Sequence, residues 1–323
     1  MTYKSSIIEK IRWSLTMDLV QDYRQGTFNE LARMGYTPTS LDCADIELFN
    51  VRKMIPQPIP RKVIYSAKFI CPTGYHDVLS AFAEKVEKGE SLKPFLSEKV
   101  EDSTNNDLLL NDWNIYHFHF TMRFHPDGRA KRHNLQLFAY LTDDQFYMLQ
   151  VYEHPNERTN PLGYCKQEMI RIIHNNWPEL IAQFRVPGVT AVSPDPTDEN
   201  YKRMRDMRAI GLVDAGEGVF YALIGGGYAS DGTSVEAVKL SNHWHNKLKL
   251  YELHLLKHVP ELIASMENLL LRKVESQLSV KFMFYRNRIT YLLEENNGVV
   301  FKIPDDGNLS CIAFSDLHKV INQ

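Results

Sequence analysis

Cysteine is scarce in this sequence of 323 residues. Its four cysteines form neither a CxxC pair nor a Cys/His spacing of the zinc-finger type, and they lie at Cys43, Cys71, Cys165 and Cys311. A disulfide framework and a structural zinc site would both require closer, patterned cysteines. We therefore expect reduced thiols in a cytoplasmic protein.

Long apolar runs and an excess of one charge are also missing. No segment offers the roughly 20 consecutive apolar residues that span a bilayer, and the first residues do not have the pattern of a secretory signal. The formal net charge is −3, which excludes a global basic field. We predict no membrane association. Contact with a nucleic acid would need a local basic patch, such as Arg123, Arg129, Lys131 and Arg132.

What is present is the composition of a globular protein, with 44% hydrophobic and 24% charged residues. This length is sufficient for two domains. The run from 186 to 205 contains three prolines, one glycine and three acidic residues, a composition that is typical of a linker. We predict an N-terminal α+β domain over 1–185, a linker or long loop over 186–205 and a smaller C-terminal α+β domain over 206–323.

Hydrophobic periodicity gives the elements of these domains. It predicts a helical opening over residues 4–22, a strand over Asp45–Arg52, and three antiparallel strands over Ile115–Thr121, Asn134–Leu141 and Gln145–Glu153. Beyond residue 205 it predicts a helical pair and a closing β-meander. The predicted fold class is α+β, an antiparallel sheet flanked by helices.

The most informative motif is a pair of histidines on the first of these three strands. Alternation places His117 and His119 on one face, while Tyr116, Phe118 and Phe120 point to the opposite, core-forming face. If the strands pair in sequence order, His154 or Glu153 lies beside the pair, and strand register decides which.

Three interpretations fit this cluster. Metal-free acid–base chemistry would use the histidines for proton transfer and Arg123, Arg132 or Arg158 for a phosphate group. A metal site would use the same pair with His154, Glu153 or Asp112 as a third ligand. The remaining interpretation is structural: two hydrogen-bonded histidines on a partly buried sheet face.

The run from Asp112 to Arg158 resembles the sheet of RelE/ParE-type toxins, especially the YafQ-like ribosome-dependent ribonucleases. The shared features are the histidine-bearing strand, the strand Leu135–Tyr140, a tight turn, and a strand that closes on His154. The resemblance covers fewer than 50 residues and departs from the family in the long connection from Thr121 to His133. It implies an RNA-cleaving face lined by histidines. A wider run, from Ser91 to His119, also resembles large uncharacterised bacterial proteins, which implies no function.

A glycine-rich turn, from Gly225 to Ser234, leads from a strand into a helix. Free amides at such a position can hold an anion, so the candidate phosphate-binding residues are Gly226, Gly227, Ser230 and Thr233. The turn lacks the GK[ST] of a Walker A loop. Thr233 and Glu236 have the spacing of a capping box, which explains the polar residues without a ligand.

The sequence therefore predicts a toxin-like, defence-associated protein that cleaves or binds RNA with no cofactor and no metal. The expected catalytic residues are His117, His119, His154, Arg123 and Arg132. Two alternatives remain open: a non-catalytic protein that binds a protein partner and has structural histidines, and a small metal-dependent enzyme.

Overall fold

The structure is a computed structural model and describes residues 2–4, 13–155, 160–193 and 195–321. In chain order, the α-helices of this part are α1 (Leu19–Arg33), α2 (Ala44–Met54), α3 (His76–Lys88), α4 (Leu108–Trp113), α5 (Glu168–Asn176), α6 (Asp198–Asp206), α7 (Val235–Lys257), α8 (Val259–Leu270) and α9 (Leu317–Ile321). The strands are β1 (Thr2–Lys4), β2 (Ser14–Met17), β3 (Lys62–Tyr65), β4 (Ile115–His119), β5 (Leu135–Leu141), β6 (Gln145–Glu153), β7 (Val213–Gly216), β8 (Val219–Tyr221), β9 (Gln277–Arg286), β10 (Ile289–Glu294), β11 (Val299–Pro304) and β12 (Ser310–Ala313). The α+β fold class is confirmed.

The chain divides into two compact units, and the first is discontinuous in sequence. Unit 1 comprises residues 1–48 and 240–323, and unit 2 comprises residues 49–239. This division differs from the predicted one, because the segment 186–205 lies inside unit 2 and contains most of α6. Thr197 caps that helix by accepting a hydrogen bond from the Asn200 amide, so the proline-rich segment leads into an ordered element.

Unit 1 is built on a six-stranded sheet with the order β1-β2-β9-β10-β11-β12. All neighbours are antiparallel except β2 and β9, which pair in parallel from Ser14 opposite Gln277 to Met17 opposite Val280. The closing meander β9-β10-β11 is confirmed, with a Gly298 φ of 68° in its second turn. One core cluster of the sheet contains Tyr291, Val300 and Leu317.

Two predictions for the first 54 residues are wrong. Residues 14–17 form strand β2 rather than part of a helix, while residues 5–12 of the predicted opening helix lie outside the described part. The predicted strand Asp45–Arg52 is helix α2. Its buried residues Ala44, Leu48 and Val51 recur every three to four positions, and this helical period decides against the apparent alternation.

Unit 2 contains a four-stranded sheet with the order β3-β6-β5-β4. The predicted meander β4-β5-β6 is antiparallel, and β3 joins its edge in parallel. Both faces are covered: one core cluster includes Trp113, Phe138 and Ile173, and the other includes Phe82, Phe118 and Phe146. The sheet is therefore buried on both sides.

A proline ends the helix that starts at Glu168. Helix α5 ends at Asn176, and Trp177 lies outside the helical region, with φ −147° and ψ 61°, before a 3-10 turn that starts at Pro178. A residue that precedes proline is pushed out of the helical region by steric contact with the proline ring.

Candidate functional site

The histidine cluster, His117, His119 and His154, lies on one face of the unit 2 sheet. Its strand is positioned by α4, which is capped by Asp107 and ends at Asn114 in the left-handed region, with φ 56°. The chain then enters β4 directly. His117 pairs with Phe138 of β5, and His119 pairs with Gln136. Directly opposed residues share a face, so both rings project from the face that carries Phe138.

Strand register places His154, and not Glu153, beside this pair. Gln136 is opposite Tyr152, and His154 has the same parity as Tyr152. The His154 amide donates to the Asn134 carbonyl oxygen at 2.5 Å, which continues the strand pairing. The rings of His119 and His154 stack, with centroids 6.0 Å apart and an interplanar angle of 15°. Of the two residues that the sequence left open, His154 therefore lies beside the histidine pair and Glu153 does not.

His117 lies between a tyrosine and a carboxylate. Its ring centroid is 5.0 Å from that of Tyr164, and its Nδ1 is 3.7 Å from Oδ2 of Asp107. That distance is too long for a hydrogen bond but is within ion-pair range when the ring carries a proton. The Tyr164 hydroxyl donates to Oε1 of Gln136 at 3.1 Å, so Tyr164 and Gln136 form a polar wall beside the histidines.

Burial dominates the electrostatics of the cluster. It lowers the pKa of His119 to about 4, and positive charge on His154, His117 and Arg132 acts in the same direction. Burial also lowers the pKa of His154, again with help from Arg132. A histidine in a low-dielectric site resists protonation because its cation is poorly solvated there. His119 is therefore unprotonated at neutral pH, which is the form that a general base requires, and its low pKa makes it a weaker base than a free imidazole.

Two nitrogens of the cluster have no hydrogen-bond partner among the described residues. They are the buried Nδ1 atoms of His117 and His119. By contrast, His154 uses its Nδ1 in a 2.8 Å contact with the Pro155 carbonyl oxygen. Buried polar atoms are usually satisfied, and exceptions often mark a functional role or an unfilled ligand position. These two atoms are candidates for binding or proton transfer.

The predicted arginines have different positions relative to the cluster. Arg132 is exposed, and its charge acts on the pKa values of His119, His154 and Tyr164. Arg123 is also exposed and lies near the start of the connection between β4 and β5, where its amide donates to Oγ1 of Thr121 at 3.1 Å. Arg158 lies outside the described residues.

The glycine-rich turn has the contacts of a packed loop. The Gly225 amide donates to the Asp112 carbonyl at 2.7 Å, the Gly226 amide to Leu223 at 2.9 Å, and the Gly227 amide to Asn111 at 2.8 Å. These amides are thus already engaged, and a phosphate group at Gly226 and Gly227 would have to displace them. The turn, with Ser230 and Thr233, is not part of the histidine cluster.

The cap of the following helix also differs from the predicted capping box. Helix α7 begins at Val235, and Oγ of Ser234 accepts a hydrogen bond from the Ala237 amide at 3.4 Å. Ser234 therefore takes the capping position that the spacing assigned to Thr233. Glu236 pairs instead with Lys53, at 2.8 Å.

Asp112, the alternative third metal ligand, is committed to a buried ion pair. Its Oδ2 is 2.8 Å from Nη2 of Arg205 and accepts a hydrogen bond from the Tyr201 hydroxyl at 2.9 Å. The Arg205 guanidinium also covers the Trp113 ring, 4.6 Å from its centroid. Within the described residues, no three histidine, cysteine or acidic side chains are grouped so that they could hold a metal ion.

Sequence reasoning missed four residues around the cluster, namely Asp107, His133, Gln136 and Tyr164. His133 donates or accepts a hydrogen bond with the Tyr75 hydroxyl at 3.0 Å and accepts the Leu135 amide at 3.1 Å. Strand parity gave a signal for Gln136, since it alternates with apolar neighbours on β5. Tyr164 contacts the cluster from a different segment, and no pattern in the sequence predicts this contact.

Comparisons of the chain with known protein families, curated proteins and solved structures give no match. Among the residues described, no helix is both long and apolar enough to cross a membrane.

Proposed function

We propose that unit 2 cleaves RNA by metal-free acid–base chemistry at the histidine cluster. The observation that supports this most directly is the stacking of His119, whose pKa is lowered to about 4, against His154 beside the positive charge of Arg132. An unprotonated imidazole is the form that can take a proton from a nucleophile, and a nearby cation stabilises the phosphate group that the nucleophile attacks. The resemblance to RelE/ParE-type toxins supports the same substrate.

The reaction would be an attack of the RNA 2′-hydroxyl on its own phosphate. His119 takes the hydroxyl proton while the 2′ oxygen bonds to phosphorus. The bond to the 5′ oxygen breaks, and that oxygen receives a proton from His117. The products are a 2′,3′-cyclic phosphate and a 5′-hydroxyl. An imidazolium at His117 would lie 3.7 Å from the Asp107 carboxylate, and Arg132 would face the charged phosphate group.

The test compares His119→Asn with the wild-type protein on RNA alone and on ribosome-bound RNA. We expect a loss of about 100-fold or more in cleavage rate, as for removal of a general base. The matched control is His76→Asn, because His76 is an exposed histidine of the same unit that lies outside both the cluster and the connection from β4 to β5. RNA with a single 2′-deoxy nucleotide at the cleavage position should resist cleavage there.

The same experiment distinguishes the two alternative functions. A folded His119→Asn protein that cleaves as fast as the wild type would refute the acid–base proposal. The absence of any wild-type cleavage would refute it as well and would favour the structural interpretation, which the packing of His117 between Phe138 and Tyr164 supports. Activity that disappears with a chelator and returns with a divalent cation would indicate the metal-dependent enzyme.

A further inference from the structure

The connection between β4 and β5 forms a basic arm, residues 121–134, that begins two residues after His119. It contains Arg123, Arg129, Lys131 and Arg132 against a single carboxylate, that of Asp127, and so has a net charge of +3 in a chain of net charge −3. This concentration of charge lies within a few residues of His119 and His133 along the chain.

Two cations lie opposite each other on the two antiparallel segments of the arm. The Lys131 amide donates to the Arg123 carbonyl at 2.7 Å, and Phe124 and Ala130 form an antiparallel bridge. This register places the Arg123 and Lys131 side chains on one face and Phe124 on the other. Like charges in directly opposed positions destabilise a hairpin. Within the described residues neither cation forms an ion pair, so the repulsion is not relieved by a carboxylate.

The opposite face of the arm is anchored. The Phe124 ring packs edge-on against Phe95, with centroids 5.5 Å apart, and the Ala130 amide donates to the Pro94 carbonyl at 2.9 Å. Arg129 has the same parity as Lys131 and is held by two carboxylates, Asp127 and Glu98, each at 2.8 Å. The arm is thus fixed to unit 2 through Phe124 and Ala130, and of its cations Arg129 is already neutralised.

The charged face begins close to the histidine cluster along the chain. Arg132 acts on the pKa values of His119 and His154, which places its charge near the rings. Arg123 follows His119 by four residues, and a fully extended chain of that length spans at most about 14 Å. A ligand with several phosphate groups could therefore contact Arg123 and Lys131 while one of its phosphates lies at the imidazoles.

We propose that the face of the basic arm that carries Arg123 and Lys131 binds the sugar–phosphate backbone of single-stranded RNA and directs the strand to the histidine cluster. This inference rests on the proposed function. We propose a single strand rather than a duplex because the imidazoles are half-buried and the phosphate must approach them closely. An unpaired strand can bend a phosphate toward them, whereas the regular backbone of a duplex is stiffer.

The experiment measures binding separately from cleavage, with a fluorescent 2′-O-methyl RNA strand that cannot undergo the reaction. The variants are Arg123→Gln/Lys131→Gln, which removes the free cations, and Arg129→Gln, which removes the neutralised one. Each lost phosphate contact should reduce the slope of log affinity against log salt by about 0.7, so the double variant should lose about 1.4 in slope. At about 0.1 M salt this corresponds to roughly 25-fold weaker binding.

The Arg129→Gln variant and a duplex of the same length serve as controls. We expect Arg129→Gln to bind within about twofold of the wild type, and the duplex to bind about tenfold more weakly than the single strand. An unchanged His119 titration in the NMR spectrum would show that each variant is folded. Wild-type affinity in the double variant, equal losses in the double variant and Arg129→Gln, or equal binding of duplex and single strand would each overturn the proposal.

Binding and cleavage can fail independently. If the wild-type protein binds the 2′-O-methyl strand through the arm but cleaves no RNA, the arm inference holds and the proposed function fails. If RNA is cleaved in a His119-dependent way but the double variant binds and cleaves like the wild type, the proposed function holds and the arm inference fails.

Discussion

His119, a half-buried histidine of β4, should make the stability of unit 2 fall as the solution becomes acidic. The pKa of His119 is lowered from 6.5 to about 4, so between these values the unfolded chain binds a proton that the folded protein does not bind. Stability therefore rises with pH across this window and is lost as the pH falls through it. Replacing His119 by glutamine, which does not titrate, removes this contribution.

The size of the effect follows from the two pKa values. Between about pH 7.5 and about pH 5, the difference in proton binding corresponds to about 2 kcal/mol. Because the His119 side chain is partly exposed, solvent screening reduces the expected value to about 1 kcal/mol. Wild-type unit 2 should thus lose about 1 kcal/mol more of its unfolding free energy over this range than His119→Gln.

Urea unfolding can be followed for unit 2 alone with tryptophan fluorescence. Of the four tryptophans, Trp113 and Trp177 belong to unit 2, and the other two, Trp13 and Trp244, can be replaced by phenylalanine. The matched control is His125→Gln, a substitution at an exposed histidine of the same unit outside the cluster. If the unfolding free energies of the wild type and His119→Gln changed equally with pH, the assignment of a half-buried, unprotonated His119 would be refuted.

Two further predictions concern packing. Arg205→Met should reduce the free energy of unfolding of unit 2 by about 3–5 kcal/mol, because it leaves the Asp112 carboxylate, 1% exposed, without its cation; an unchanged urea midpoint would contradict the buried pair. Gly225→Ala should cost about 1–3 kcal/mol because its Cβ would collide with the Leu110 carbonyl oxygen, whereas Gly26→Ala, in open space within α1, should stabilise unit 1 by about 0.5–1 kcal/mol. Thermal unfolding of both glycine variants tests the opposite signs.

The geometry of the candidate site was predictable as far as strand parity reaches. Alternation along β4 correctly placed His117 and His119 on one face, since side chains in a strand alternate with a period of two. It did not decide between His154 and Glu153, because that choice depends on the register of three strands. The register of β5 and β6 shifts between Phe138 and Ala139, and such a shift has no clear pattern in the sequence.

Local pattern was least informative where tertiary packing decides. The Asp45–Arg52 run alternates in polarity well enough to suggest a strand, yet buried residues at helical spacing make it α2. The capping position of α7 moved by one residue, from Thr233 to Ser234, because both residues can serve and only the local backbone selects one. Tyr164 contacts the histidine cluster only because the fold brings two distant segments together. A single sequence contains no pattern that predicts such a contact.

The parallel pairing of β2 with β9 has a consequence for synthesis on the ribosome. Ser14 lies opposite Gln277, so 263 residues must be made after β2 before its partner exists. At about 5–20 residues per second, that takes on the order of 13 to 53 seconds. The whole of unit 2 is translated in this interval and can fold first. Until β9 is made, the edge of β2 that faces β9 has no partner strand, and such exposed edges promote aggregation or chaperone binding.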